Sequence, residues 1–98
     1  MKYKLLGRSG LRVSELCLGC GTFGTNWGPI WGSDQEESHK VFNAFTEAGG
    51  NFIDTSNFYQ KSQSEEFLGQ FIHPNRDRLV IGSKYSLFDG FADTRDPN

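Results

Sequence analysis

The segment that decides the fold is residues 48–59, which read AGGNFIDTSNFY. Its paired glycines end a helix, because glycine readily adopts the left-handed conformation found just past a helix C-terminus. Phe52 and Ile53 then form a short strand, and Asp54 stands at the end of that strand. A helix that leads into a strand is the repeating step of an alternating α/β fold.

Two amphipathic helices flank this strand. Residues 33–36 and 62–65 each have the pattern of a capping box, so helices are predicted to begin at Ser33 and Ser62. The apolar residues that follow at helical spacing are Val41, Phe42, Phe45 and Ala48 in the first helix, and Phe67, Leu68, Phe71 and Ile72 in the second. Pro74 ends the second helix, and residues 79–84 read as a strand rich in β-branched side chains.

The residues upstream complete the order of elements. Two alternating runs on either side of residues 7–10 predict a hairpin, residues 16–18 form a strand, and residues 19–32, with five glycines, form a loop. A hairpin followed by strand–helix–strand–helix–strand predicts an α/β fold with a parallel sheet. Three strands and two helices leave a sheet edge uncovered, so the sequence is expected to be the first portion of a larger fold.

Composition narrows the classes of function. The chain has 98 residues, enough for one small domain, and its formal net charge is −2. The ten Lys and Arg residues are scattered, which disfavours binding to nucleic acids or to an anionic membrane surface. The first residues lack the pattern of a signal peptide and no apolar run reaches about 20 residues, so neither a signal peptide nor a membrane span is expected in this sequence. A cytoplasmic location is therefore expected.

Cys17 and Cys20 form a Cys-x-x-Cys pair. A redox pair would stand at a helix start, and a zinc site would need a second such pair, but the sequence has neither feature. We interpret the two cysteines as small strand and turn residues in a reducing compartment, and we predict no metal site.

A second motif, residues 19–24, matches the Gly-x-Gly-x-x-Gly pattern of a Rossmann fold. A Rossmann site needs a helix that opens at the third glycine, but the predicted helix begins nine residues later, at Ser33. Asp54 is also too far along the chain for the usual ribose contact. A small Rossmann-like nucleotide-binding module remains the weaker alternative.

Asp54, Tyr59 and Lys84 stand at or just beyond predicted strand ends. If the strands are parallel neighbours, the three side chains share the carboxyl edge of one sheet, where active sites form. A lysine ammonium stabilises a phenolate, and a carboxylate holds that lysine in place, so Tyr59 could protonate a carbonyl oxygen while a cofactor delivers hydride. The alternative is that these are ordinary polar residues solvated at strand ends.

Five segments, in order, resemble the aldo-keto reductase family. They are residues 5–14, 18–20, 48–55 leading to Tyr59, 64–69, and 76–81 leading to Lys84. The resemblance implies a partial (β/α)₈ TIM barrel whose N-terminal hairpin closes the bottom. It assigns residues 1–14 to the hairpin, 15–84 to barrel units and 85–98 to a loop.

The resemblance also implies roles for single residues. Asp54, Tyr59 and Lys84 would be three members of the catalytic tetrad, with Tyr59 as the proton donor for reduction of an aldehyde or ketone. Gly19, Cys20 and Asp54 would contact the cofactor, which is NADP(H), with NAD(H) as the alternative. Trp27 and Trp31 would line the substrate pocket, the alternative being ordinary aromatic packing over a loop.

This sequence departs from the family pattern in two ways. Gln60 stands where a glycine usually follows the tyrosine, so the local turn is expected to differ. The tetrad histidine belongs on a fourth strand, and neither His39 nor His73 is placed to replace it. We therefore expect a truncated, inactive piece of a reductase. The alternative function is a non-catalytic piece that associates with itself or a complementary fragment through an exposed sheet edge and an exposed stripe of Phe67, Leu68 and Phe71.

Overall fold

The computed structural model describes residues 1–86, which form two small sheets and two helices. The strands are β1 (Tyr3–Leu5), β2 (Arg12–Ser14), β3 (Cys17–Gly19), β4 (Phe52–Asp54) and β5 (Val80–Gly82). The helices are α1 (Gln35–Glu47) and α2 (Gln63–Ile72), and α2 is followed by a 3₁₀ segment, His73–Arg78. The predicted order of elements is confirmed.

The predicted hairpin is present as the antiparallel pair β1–β2. Asn51 fastens it to the start of β4, because its side chain accepts from the Ser14 N–H at 2.7 Å and donates to the Arg12 carbonyl at 3.0 Å. The Tyr3 hydroxyl adds a bond to the Gly49 carbonyl at 2.5 Å. The hairpin therefore sits at the amino ends of the parallel strands, away from the edge where the predicted site lies.

The parallel sheet has the order β3–β4–β5. Gly19 pairs with Asp54, and Asp54 pairs with Gly82, so the three strands end in one row. In the part of the chain that the structure describes, β3 and β5 each have one strand neighbour. The sheet is a portion of the predicted barrel with two open edges.

Both helices cover the sheet and close an apolar core. The buried core consists of Cys20, Phe23, Phe42, Ile53, Phe67, Leu68, Phe71 and Leu79. Phe71 makes the central ring contacts, 5.6 Å from Phe42 and 6.3 Å from Phe23 between centroids. The expectation that the stripe of Phe67, Leu68 and Phe71 is exposed is therefore wrong, because this stripe packs on α1 and on the loop after β3.

The helix starts differ from the capping predictions. The N-cap of α1 is Asp34, whose side chain accepts from the Glu37 N–H at 2.9 Å, and not Ser33. Ser62 precedes α2 in a left-handed conformation and makes no capping bond. Val41 and Ala48 are exposed, so the buried face of α1 is centred on Ser38 and Phe42.

The predicted loop of residues 85–98 lies outside the described residues from residue 87 onward. Among the residues that are described, no helix has the length and apolarity to cross a bilayer.

Candidate active site

The structure brings Asp54, Tyr59 and Lys84 together at the carboxyl edge of the parallel sheet. Lys84 Nζ lies 2.7 Å from Asp54 Oδ1 and 3.4 Å from the Tyr59 hydroxyl. The same nitrogen donates to the Thr55 carbonyl at 2.7 Å. The ammonium thus has a carboxylate on one side and the phenol on the other.

Main-chain pairing beyond the strand ends explains this convergence. The Thr55 N–H donates to the Gly82 carbonyl at 2.9 Å, and the Asn57 N–H donates to the Lys84 carbonyl at 3.1 Å. These bonds extend the β4–β5 ladder by several residues, so Lys84 runs alongside the turn that carries Tyr59. Because Lys84 is in register with this turn, its ammonium lies close to the Tyr59 hydroxyl.

The site holds one ion pair, formed by the Lys84 ammonium and the Asp54 carboxylate. The hydrogen bond with the Asp54 carboxylate raises the pKa of Lys84 above the ordinary value, with a smaller upward contribution from the Tyr59 hydroxyl. Nearly half of each side chain in the Lys84–Asp54 pair is exposed, so water screens the attraction and the pair contributes little to stability. The ion pair instead holds the Lys84 ammonium where it would stabilise a negative charge on the Tyr59 oxygen.

An aromatic wall stands beside the tyrosine. The Trp27 ring lies 5.2 Å from Phe58 and 6.5 Å from Tyr59 between centroids, and it is half-buried. Trp31 is 67% exposed, and its main-chain carbonyl, not its ring, bonds to Gln60. Of the two tryptophans predicted to line a pocket, the structure brings Trp27 to the site and places the Trp31 ring at the surface.

Gly19 and Cys20 follow β3 next to the site. Gly19 is exposed and pairs with Asp54, and a Cβ built on it would meet no heavy atom within 4 Å. The Cys20 N–H donates to the Asp54 carbonyl at 2.9 Å, and its side chain is fully buried. The surface that a cofactor could approach here is therefore offered by Gly19 and Asp54, with Cys20 supporting it from inside.

We predict that Cys17 reacts with iodoacetamide at mildly alkaline pH while Cys20 stays unmodified. Burial raises the pKa of Cys20 from 9.0 to about 12, so the reactive thiolate is scarce, whereas Cys17 is exposed. Mass spectrometry of peptides from the folded chain would locate the label, with a urea-unfolded sample as the control in which both thiols react. Equal labelling of both cysteines without urea would contradict the buried position of Cys20.

The glycine motif of residues 19–24 does not form a Rossmann site. After Gly24 the chain continues as a loop, and α1 begins at Gln35. Gly24 donates its N–H to the Ser33 carbonyl at 2.9 Å, so its backbone is held by another loop residue. The Rossmann-like alternative is wrong, because no helix N-terminus follows the third glycine.

Within residues 1–86 no cluster of three or more His, Cys, Asp or Glu side chains is placed to hold a metal ion.

Sequence reasoning missed the burial of Gln60. The sequence predicts only a different local turn, because this residue stands where a glycine usually follows the tyrosine. Gln60 is fully buried, and it opens a run of three left-handed residues, Gln60, Lys61 and Ser62, with φ of 54°, 55° and 75°. The available signal was a large amide side chain at a position that usually holds glycine.

The chain is similar in sequence to known proteins. The family profile described as "Aldo/keto reductase family" matches residues 15–97. A norsolorinic acid reductase of Aspergillus flavus is 43% identical over 86 residues, which are 85% of this chain and 22% of that protein. An NADP(+) aryl-alcohol dehydrogenase of Phanerodontia chrysosporium is 48% identical over 82 residues, which are 80% of this chain and 21% of that protein.

The chain also superposes on solved structures over most of its length. An aldo-keto reductase from Bacillus halodurans, in its holo form, superposes with a TM-score of 0.77 at 29% identity, covering 95% of this chain and 29% of that one. A second aldo-keto reductase structure, from Pseudomonas aeruginosa, gives 0.74 at 36% identity, covering 85% and 32%. The chain spans about a fifth of the length of the norsolorinic acid reductase and of the aryl-alcohol dehydrogenase.

Proposed function

The chain belongs to the aldo/keto reductase family, and on that premise we propose that it carries the proton-donating part of an NADP(H)-dependent reductase of aldehydes or ketones. The observation that carries the proposal is the position of Lys84 Nζ, 2.7 Å from Asp54 and 3.4 Å from the Tyr59 hydroxyl at the carboxyl edge of the sheet. In barrels of this kind that edge is where reactions take place.

Each member of the cluster has a role in proton transfer. Tyr59 gives its hydroxyl proton to the carbonyl oxygen of the substrate, and the Lys84 ammonium stabilises the phenolate that this leaves. Asp54 keeps Lys84 in position and in its charged form. When bound, NADP(H) supplies the hydride that adds to the substrate carbon.

The surface next to Asp54 is where we propose that the nicotinamide ring lies. Gly19 leaves open space there, since a Cβ built on it would meet no heavy atom within 4 Å. We assign Gly19 and Asp54 to nicotinamide contact, with the Cys20 backbone behind them. NADP(H) is favoured over NAD(H) because a 48%-identical relative is named for NADP(+).

The substrate we propose is a small aromatic carbonyl compound. The relatives include an aryl-alcohol dehydrogenase, and in this chain the Trp27 ring lies beside the rings of both Phe58 and Tyr59. Aromatic rings favour edge-to-face or offset contact with other aromatic rings. Trp31 could add to this wall only from the rim, where its ring is exposed.

The domain assignment also remains our proposal. Residues 1–14 form the hairpin that closes the bottom of the barrel, and residues 15–84 form the first barrel units. The expected loop of residues 85–98 lies outside the described residues from residue 87 onward. A complete barrel needs about 250 residues. We propose that a polypeptide limited to these 98 residues reduces no carbonyl compound, and that the full protein works in the reducing cytoplasm.

An assay on the natural gene product at its full encoded length tests the proposal. NADPH consumption with benzaldehyde is expected, and NADH is the cofactor control. The 98-residue chain, measured in parallel, is expected to give the rate of the buffer alone. Absence of NADPH consumption with every aromatic and aliphatic carbonyl tried on the full-length protein would refute the proposed activity.

A second candidate function is association through the open edge of β5. The Val80 N–H bonds to the Asn51 carbonyl and the Gly82 carbonyl accepts from Thr55, so the polar backbone groups of Ile81 point away from β4. Unpaired edge groups recruit other strands. This edge is the specific observation that favours a non-catalytic, self-associating piece.

We predict that the 98-residue chain forms concentration-dependent oligomers and that Ile81→Pro weakens them. Proline removes an outward N–H at an edge strand without touching the bonds to β4. Sedimentation velocity over a range of concentrations would measure the change, with circular dichroism confirming that the variant keeps its fold. A chain that sediments as a monomer at every concentration would exclude this second candidate.

A further inference from the structure

We propose that Gln60 is a positioning residue that sets substrate specificity: its buried amide fastens the loop of residues 21–32, so that Trp27 stays beside Tyr59 and favours aromatic over aliphatic carbonyl substrates. The inference rests on the proposed role of Tyr59 as proton donor. It assigns a task to the residue that replaces a glycine next to that tyrosine.

The backbone of Gln60 has an unfavourable conformation. Its φ of 54° lies in the left-handed region, which a residue with a Cβ adopts only when its surroundings impose it. Glycine would adopt the same backbone without strain. Lys61 and Ser62 share this conformation, so the contacts of the Gln60 side chain, and not its φ alone, indicate its role.

The side chain of Gln60 forms hydrogen bonds across the loop. Gln60 Nε2 donates to the Trp31 carbonyl at 2.8 Å and to the Gly21 carbonyl at 3.1 Å, and Oε1 accepts from the Trp27 N–H at 2.9 Å. One buried amide therefore holds the start, the middle and the end of the loop. Since all three partners are main-chain groups, the bonds fix the path of the backbone.

Neighbouring groups reinforce this clamp. Gln63 Oε1 accepts from the N–H groups of Thr25, at 2.6 Å, and Asn26, at 3.0 Å. The Asn26 side chain donates to the Gln60 carbonyl at 3.0 Å. Gly24 makes room, because a Cβ on it would lie 2.6 Å from Gln60 Cβ. The loop and the turn after Tyr59 are therefore built as one unit.

The Gln60 side chain is connected to the candidate active site through Trp27. The Trp27 N–H is bonded to Gln60, and the Trp27 ring contacts Phe58 and Tyr59, with Tyr59 adjacent to Gln60 in sequence. The carbonyl of Gly21 is another partner of Gln60, and a Cβ built on Gly21 would lie 4.0 Å from Tyr59 Cε1. Gln60 thus sets the spacing between the aromatic wall and the phenol that would meet the substrate.

The test uses the full-length natural gene product labelled with 5-fluorotryptophan, in which the Trp27 signal is identified as the one that is lost in Trp27→Phe. Gln60→Met keeps the volume of the side chain and removes its hydrogen bonds. Gln60→Gly removes the side chain but suits the left-handed turn, so it keeps the test informative if the methionine variant fails to fold. Lys61→Gly is the matched control, because it places a glycine at the adjacent left-handed position and leaves the three bonds of the Gln60 side chain in place.

Both Gln60 variants are expected to shift the Trp27 fluorine signal toward that of exposed tryptophan, and Lys61→Gly is not. The KM for benzaldehyde should rise about 3–10-fold, the effect of losing one aromatic contact. The KM for propanal and the kcat for both aldehydes should change less. This split separates a positioning role from general loss of folded protein.

Two results would overturn the inference. One is an unchanged Trp27 signal in both Gln60 variants, which would show that the loop does not depend on this amide. The other is a displaced Trp27 signal with an unaltered ratio of benzaldehyde to propanal KM. Full turnover in a Tyr59→Phe protein would instead overturn the proposed function, and the Trp27 signal would still decide whether Gln60 positions the loop.

Discussion

Turnover in Tyr59→Phe is expected to fall about 10²–10⁴-fold, the usual contribution of a positioned general acid. The substitution removes one hydroxyl and leaves the ring that contacts Trp27, so the shape of the pocket is retained. Lys84 keeps its bonds to Asp54 and to the Thr55 carbonyl, so the cation stays in place. The loss should appear in kcat with an aromatic aldehyde, while the Kd for NADPH changes little.

Tyr85→Phe is the matched control, because that tyrosine is 73% exposed and lies one residue beyond Lys84. The control protein should keep its turnover. Steady-state kinetics on the full-length gene product, with NADPH binding followed by fluorescence, would give both values. Equal turnover in the wild type and Tyr59→Phe would show that the tyrosine packs without donating a proton.

Gly32→Ala is expected to lower the free energy of unfolding by about 1–3 kcal/mol, the range observed when a packed site is overfilled. A Cβ on Gly32 would lie 1.9 Å from the Gly24 carbonyl oxygen and 3.0 Å from Gln60 Nε2. The nearest atom belongs to the backbone and cannot rotate away. The loop must therefore move, and the bonds that hold it to Gln60 must weaken.

Gly69→Ala provides the opposite case with the same chemical change. Gly69 lies inside α2, where a Cβ would meet no heavy atom within 4 Å. Alanine favours the helix there by up to about 1 kcal/mol. Urea unfolding of the two variants should move the midpoint in opposite directions, and a Gly32→Ala protein as stable as the wild type would mean that the loop yields freely.

The order of elements and the place of the three polar residues were predictable from the sequence. Apolar spacing and paired glycines act over a few residues, so they identified α1, β4, α2 and β5 without knowledge of the rest of the chain. Asp54 then fell at the end of β4 and Lys84 two residues beyond the end of β5, and parallel pairing places these strand ends in one row. Local patterns were sufficient because the strand register follows from them.

The helix starts show where local patterns stop being sufficient. Ser33 fits a capping box, but its N–H and hydroxyl both bond to the Thr22 carbonyl, at 2.8 and 3.0 Å, so the cap passes to Asp34. The Ser62 hydroxyl bonds to the Asn57 carbonyl at 2.9 Å instead of capping α2. In both cases a side chain that could cap a helix found a partner outside the helix.

Only the tertiary structure decided the role of Gln60. Its three side-chain partners lie 29, 33 and 39 residues before it in the chain, beyond any window that periodicity or turn chemistry can use. The sequence by itself determined the elements and the edge of the sheet where Tyr59 and Lys84 stand. How the loop with Trp27 is held against that edge depends on bonds formed only after the helices and strands have packed, since a buried amide gains its partners from the folded surroundings.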